Sequence, residues 1–112
     1  MDKSLYILWQ SDNFISAEKL VFKYAINCRF QGWFDKVTII IWGASSQLSK
    51  RNPHIQKLIK EAMEHGVHIS ACKACADELE TTDTLAELGI EIRYWGKPLS
   101  ELLLEGKRVL TI

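Results

Sequence analysis

At 112 residues the chain is long enough for one domain whose core needs neither metal nor disulfide, and too short for two such cores. Its 47% hydrophobic and 25% charged content excludes a disordered or fibrous protein. With 14 basic and 14 acidic residues the charges cancel, so no general attraction draws the chain to nucleic acid or an anionic membrane.

The first apolar run, residues 5–9, predicts a strand. It is too short for a signal-peptide core and breaks at Gln10-Ser11-Asp12, and no other stretch approaches the length of a membrane span. The expected location is therefore the cytoplasm. In that reducing compartment three cysteines serve as thiols, redox groups or metal ligands rather than structural disulfides. A helix follows, with Ala17, Leu20, Val21, Tyr24, Ala25 and Cys28 on one apolar face, and Cys28 is read as a core residue.

Four times the pattern then repeats: a helix-like segment, a glycine and a β-rich run. Gly32 precedes a strand over residues 36–42, Gly66 precedes Val67-His68-Ile69, Gly89 precedes residues 90–94, and Gly106 precedes residues 107–112. A glycine in the left-handed conformation ends a helix, so each reads as a stop that feeds a strand. The intervening helices start at Asn52-Pro53, after Thr82 or Asp83, and at Pro98. Ile39-Ile40-Ile41 is apolar without alternation, as in a central strand covered on both faces. The expected fold over residues 1–112 is a three-layer α/β/α domain around a five-stranded, mostly parallel sheet.

Ligands of open parallel sheets collect beyond the carboxyl ends of the strands. Three segments qualify: Gln10-Ser11-Asp12-Asn13-Phe14-Ile15 after the first strand, Gly43-Ala44-Ser45-Ser46-Gln47 after the second, and Cys72-Lys73-Ala74-Cys75-Ala76-Asp77 after the third. Only the last carries strong nucleophiles. A cysteine beginning a helix meets unpaired backbone N–H groups that favour thiolate, Lys73 adds positive charge, and Asp77 suits the helix start while opposing the thiolate. Cys75 lies within disulfide reach on the next turn, so Cys72 and Cys75 are the candidate reactive pair. Zinc would need about four ligands. No second CxxC supplies them, and His65 and His68 flank the far end of the third strand, so neither metal nor cofactor is expected. Ser45 and Ser46 lack a GxSxG frame, and no phosphate-binding glycine motif is present. Trp9, Trp42 and Trp95, at or beside strand ends, either wall a pocket, fill a contact between subunits or pack in the core.

The text Ile69-Ser70-Ala71-Cys72-Lys73-Ala74-Cys75-Ala76-Asp77, then Leu88-Gly89-Ile90-Glu91-Ile92, and finally Arg108-Val109-Leu110-Thr111-Ile112 resembles the DsrE-like family of sulfur-relay proteins. The opening strand and first helix are similar too. The resemblance implies the three-layer fold, trimers or hexamers, and a persulfide on a cysteine at the end of the third strand, which Cys72 matches. Cys75 belongs to a C-K-x-C subset, in which glycines often follow the motif. This chain reads Glu78-Leu79-Glu80-Thr81 there.

The expected function is a sulfur relay in which Cys72 accepts sulfane sulfur from a donor protein and passes it to an acceptor protein, with Cys75 resolving or protecting it. Two other readings stand beside it. One is an oligomeric module binding a small ligand or partner segment among Ser11, Asp12, Trp42 and Ser45. The other is a dithiol redox protein using Cys72 and Cys75. A homotrimer, or a hexamer of two trimers, is expected, with Trp42 and Trp95 as anchors and Cys72 near a subunit boundary.

Overall fold

The computed structural model describes residues 2–112. β1 (Ser4–Trp9) leads into a long helix made of α1 (Phe14–Ser16), a π-helical stretch (Ala17–Phe22) and α2 (Lys23–Phe30). β2 (Lys36–Ile41), α3 (Ala44–Arg51), α4 (Pro53–Glu64), β3 (His68–Cys72), α5 (Lys73–Glu78) and α6 (Thr82–Glu87) follow, then β4 (Glu91–Arg93), α7 (Gly96–Leu104) and β5 (Val109–Thr111). The five strands form one sheet in the order β4-β3-β2-β1-β5, and every pairing is parallel.

Local chemistry explains several of the boundaries. Asn13 and Asn52 cap α1 and α4 by accepting from the N–H groups of Ser16 at 2.9 Å and Ile55 at 3.0 Å, and Pro53 opens α4 where no intrahelical donor is needed. Gly66 and Gly89, at φ 82° and 88°, make the left-handed stops expected of them. At the end of α5 the non-glycine Glu80 takes φ 58°, the conformation a glycine would adopt without strain. Its carbonyl accepts from Lys50 Nζ at 2.8 Å, which helps hold the turn.

The topology dictates which face each helix covers. From β1 to β4 the chain advances across the sheet in one direction, and right-handed crossovers put all those helices on one face. The return from β4 to β5 runs the other way and must carry α7 over the opposite face. Packing agrees. Leu5, Ile7, Val37, Ile39, Ile41, Ile69 and Ala71 meet Val21, Phe22, Ile55, Ile59 and Leu85 in the main core. On the other face Ile40, Cys72 and Trp95 form a second cluster with Leu99 and Leu102 of α7.

Two sequence expectations need correction. Residues 44–47, expected as a loop, are the start of α3. Its buried positions are Ser45, Ser46 and Ser49 as well as Leu48, and those hydroxyls bond backbone carbonyls at 2.6–2.9 Å, so hydropathy carried no sign of a packed helix. In the first helix the wider π turn shifts the register. Phe22 is therefore fully buried, edge-on to Trp9 at 5.2 Å, while Leu20 is turned out to solvent.

Candidate functional site

Cys72 ends β3 and is the N-cap residue of α5, with φ −69° and ψ 115°. Its Sγ makes no capping hydrogen bond, so the expected solvation of this sulfur by helix N–H groups is not what the structure contains. Instead the residue is 5% exposed and packs among Ile40, Trp95 and the partly buried Trp42 and Leu99. Cys75, one turn on, lies at the edge of the same cluster and is partly exposed. The backbone N–H of Gly43 donates to its Sγ at 3.1 Å.

Gly43 is required by conformation rather than space. At φ 68° and ψ −132° it occupies a region that side-chain-bearing residues avoid, while nothing lies within 4 Å of the position a Cβ would take. This bend lets β2 turn directly into α3 and leaves the N–H free for the sulfur.

Sheet topology also singles out this end of β3. The connection leaving β3 goes to the main-core face and the one leaving β4 goes to the α7 face, so the chain diverges between two adjacent strands. Such a switch point opens a crevice beyond the strand ends. Cys72 pairs in register with Arg93 across it, and the Arg93 guanidinium lies 4.8 Å from the Trp95 ring centre. The Trp95 indole N–H donates to Ser70 Oγ at 2.7 Å, and that hydroxyl in turn donates to Glu91 Oε1 at 2.9 Å. The wall behind Cys72 is thereby fixed by a polar chain that runs from the buried Trp95 and Ser70 out to the exposed Glu91.

Lys73 is committed to partners other than the thiols. Its ammonium meets Asp77 at 2.6 Å and lies 5.6 Å from the Tyr94 ring centre. Asp77 also accepts from the Thr82 hydroxyl at 2.5 Å. The Lys73 hydrogen bond, followed by that from Thr82, holds the Asp77 carboxyl below its usual range, and Asp77 raises Lys73 in return. The positive charge expected to assist the cysteines is thus neutralised on the surface.

The other expected binding residues are not gathered into one pocket. Trp42, with Leu8, Gln10 and Leu99, lines an apolar cavity of about 240 Å³ that Ser11, Asp12 and Ser45 do not line. Ser11 Oγ accepts from the Asn13 N–H at 3.1 Å, Asp12 faces Arg51 at 3.9 Å, and the buried Ser45 hydroxyl is committed to the Trp9 carbonyl at 2.6 Å. Trp95, expected as a surface anchor, is 4% exposed because it fills the space between β3 and α7 in its own subunit. Cys28 is fully buried, and burial pushes its thiol up. Among the described residues no group of three or more His, Cys, Asp or Glu is placed to hold a metal. No helix there is long and apolar enough to cross a membrane.

A second cavity, about 220 Å³, lies under α7 at the amino end of the sheet, between Tyr6, Thr38, His68 and Trp95. The Thr38 hydroxyl is buried there without a partner. Sequence reading missed this cavity and the role of Gly43. The available signal was the polar alternation His68, Ser70, Cys72 in β3 and Glu91, Arg93 in β4, which marks one sheet face as unlike the other.

The DsrE/DsrF-like family model matches residues 7–112. No curated protein matches the sequence. A conserved protein of unknown function from Bacteroides thetaiotaomicron is 35% identical, with a TM-score of 0.96 over 98% of this chain and 95% of that one. A protein of unknown function from Methanobacterium thermoautotrophicum is 15% identical (TM-score 0.79, covering 99% and 100% of the two chains). The ychN protein from E. coli is 19% identical (TM-score 0.75, 100% of both), and these last two share the fold.

Proposed function

Because the chain belongs to the DsrE/DsrF-like family, we propose that it is a sulfur-relay protein, holding sulfane sulfur as a persulfide on Cys72 and exchanging it with donor and acceptor proteins of the reducing cytosol. The observation that carries this reading is the Gly43 N–H aimed at Cys75 Sγ, 3.1 Å away, beside Cys72 at the strand-end crevice. A backbone donor fixed toward sulfur stabilises the negative charge that a thiol carries when it attacks or leaves. Sulfur exchange between thiols and persulfides needs no group beyond such a nucleophile and its partner.

The test is incubation with glutathione persulfide followed by intact mass spectrometry. Wild type and Cys28→Ser should each gain sulfur, and the double variant Cys72→Ser/Cys75→Ser should gain none. Wild type that takes up no sulfur, or a double variant labelled equally at Cys28, overturns the assignment. Assembly as a homotrimer or a hexamer of two trimers belongs to the same proposal. Its apolar surface would come from Tyr94, Leu103 and Leu104, which are 64%, 58% and 87% exposed beside or on α7. Light scattering at micromolar concentration checks it, and a monomer mass would reject it.

A ligand-binding reading is favoured by one observation, the cavity over Thr38 with its unpartnered hydroxyl. A small molecule seated there would perturb the Trp95 indole N–H resonance.

A further inference from the structure

The two cysteines of the proposed relay differ in access and in polar contact. Cys72 is 5% exposed, in an apolar shell, with no donor in its helix cap. Cys75 is partly exposed and receives the Gly43 N–H at 3.1 Å. We propose that Cys75 is the gate through which sulfur is received and released, and that Cys72 is the shielded store behind it. This division of labour rests on the relay reading and inverts the order in which the thiols stand in the chain.

Each step balances without an oxidant or reductant. Cys75 loses its proton to solvent, and its thiolate attacks the outer sulfur of a persulfide donor, R–S–SH. A Cys75 Sγ–S bond forms, the donor's S–S bond breaks, and R–S⁻ leaves with the electron pair and takes up a proton. The Cys72 thiolate then attacks the outer sulfur of the Cys75 persulfide. A Cys72 Sγ–S bond forms, the Cys75 Sγ–S bond breaks, and Cys75 departs as a thiolate that the Gly43 N–H again stabilises and that takes up the proton Cys72 has lost. The same donor therefore serves Cys75 as attacking group and as leaving group. Release to an acceptor is the reverse sequence.

Burial suits the store. A persulfide is readily oxidised or reduced when reached from solvent, and susceptibility follows thiolate character and exposure. The half-buried Trp42 and the buried Trp95, held through Ser70 to Glu91, keep solvent from Cys72. The backbone conformation of Gly43 aims this N–H at the Cys75 sulfur.

The test compares wild type, Cys72→Ser and Cys75→Ser with glutathione persulfide as the probe, with near-ultraviolet circular dichroism confirming the fold of each. Serine at 75 keeps an acceptor for Gly43. Wild type and Cys72→Ser should take up sulfur at similar rates, and Cys75→Ser roughly tenfold more slowly. Sulfur on Cys72→Ser should be stripped by dithiothreitol roughly tenfold faster than from wild type. Iodoacetamide should modify Cys75 before Cys72, and tryptic cleavage at Lys73 separates the two for mass spectrometry. Equal uptake by Cys75→Ser and wild type overturns the gate while leaving the relay intact. Equal stripping rates overturn the store. Absence of uptake by wild type overturns the relay itself, and alkylation of Cys72 first overturns the order of access whatever becomes of the relay.

Discussion

The two faces of the sheet are built from the same five strands, yet one is a sealed apolar core and the other a half-open, chemically mixed surface. Three long crossovers supply the first face with every helix from α1 to α6, whereas the single return crossover supplies the second with α7 alone. None of the nine residues of α7 is fully buried. One helix cannot cover five strands. The two cavities open beside α7, and Cys72 and Trp95 pack against that helix near the carboxyl ends of β3 and β4. Reactive and polar groups occupy the face where packing demands least, which separates stability from chemistry.

The largest test of that contrast is a matched pair of truncations. Phe22→Ala, in the sealed core, should cost about 4 kcal/mol in urea unfolding, through lost transfer energy and an unfilled cavity. Leu102→Ala, half-buried under α7, should cost only about 1 kcal/mol. Equal losses would mean that α7 seals its face as well as the other helices seal theirs.

Next in size is Ser70→Ala, expected to cost about 2 kcal/mol because it leaves the buried Trp95 N–H without an acceptor. It should also speed alkylation of Cys72 as Trp95 loosens, and an unchanged rate would sever Trp95 from the shielding role. Thr38→Val probes the same face in the opposite direction. Removing an unpartnered buried hydroxyl should stabilise the protein by up to about 1 kcal/mol in the same unfolding assay. A loss of stability would show that the hydroxyl has a solvent or ligand partner.

The smallest expected effect lies at the surface pair beside the thiols. The Asp77 carboxyl is held below its usual range by Lys73 and Thr82, so its contribution is present above the ordinary carboxylate value and lost as pH falls through the lowered one. Asp77→Asn should therefore lower Tm slightly at neutral pH and flatten the acid limb, with the two profiles meeting once the wild-type carboxyl is protonated. Both partners are largely solvated, so screening keeps the difference small. Parallel acid limbs would remove the pair from the account of stability.

Most of the framework is legible in the chain because it follows from local chemistry. Gly66 and Gly89 mark helix stops, Asn52-Pro53 marks the start of α4, and Ile39-Ile40-Ile41 marks a strand covered on both sides. α3 is hidden because serine hydroxyls satisfy nearby backbone carbonyls at its buried positions, a pattern that hydropathy scores as loop. The π turn is hidden because a widened helix moves Phe22 inward without any change in the spacing of the letters.

At the site the division is similar. The sequence by itself determined that two thiols stand three residues apart at a strand-to-helix junction, since strand alternation and the residues after it are local properties. Only the tertiary structure decided that Cys72 is enclosed and that Cys75 meets Gly43 from 32 positions away. Those outcomes depend on the direction of the β4-to-β5 crossover, which sets α7 over one face, and on the bend at Gly43. Both bring distant segments together, and no spacing along the chain encodes the contact they make.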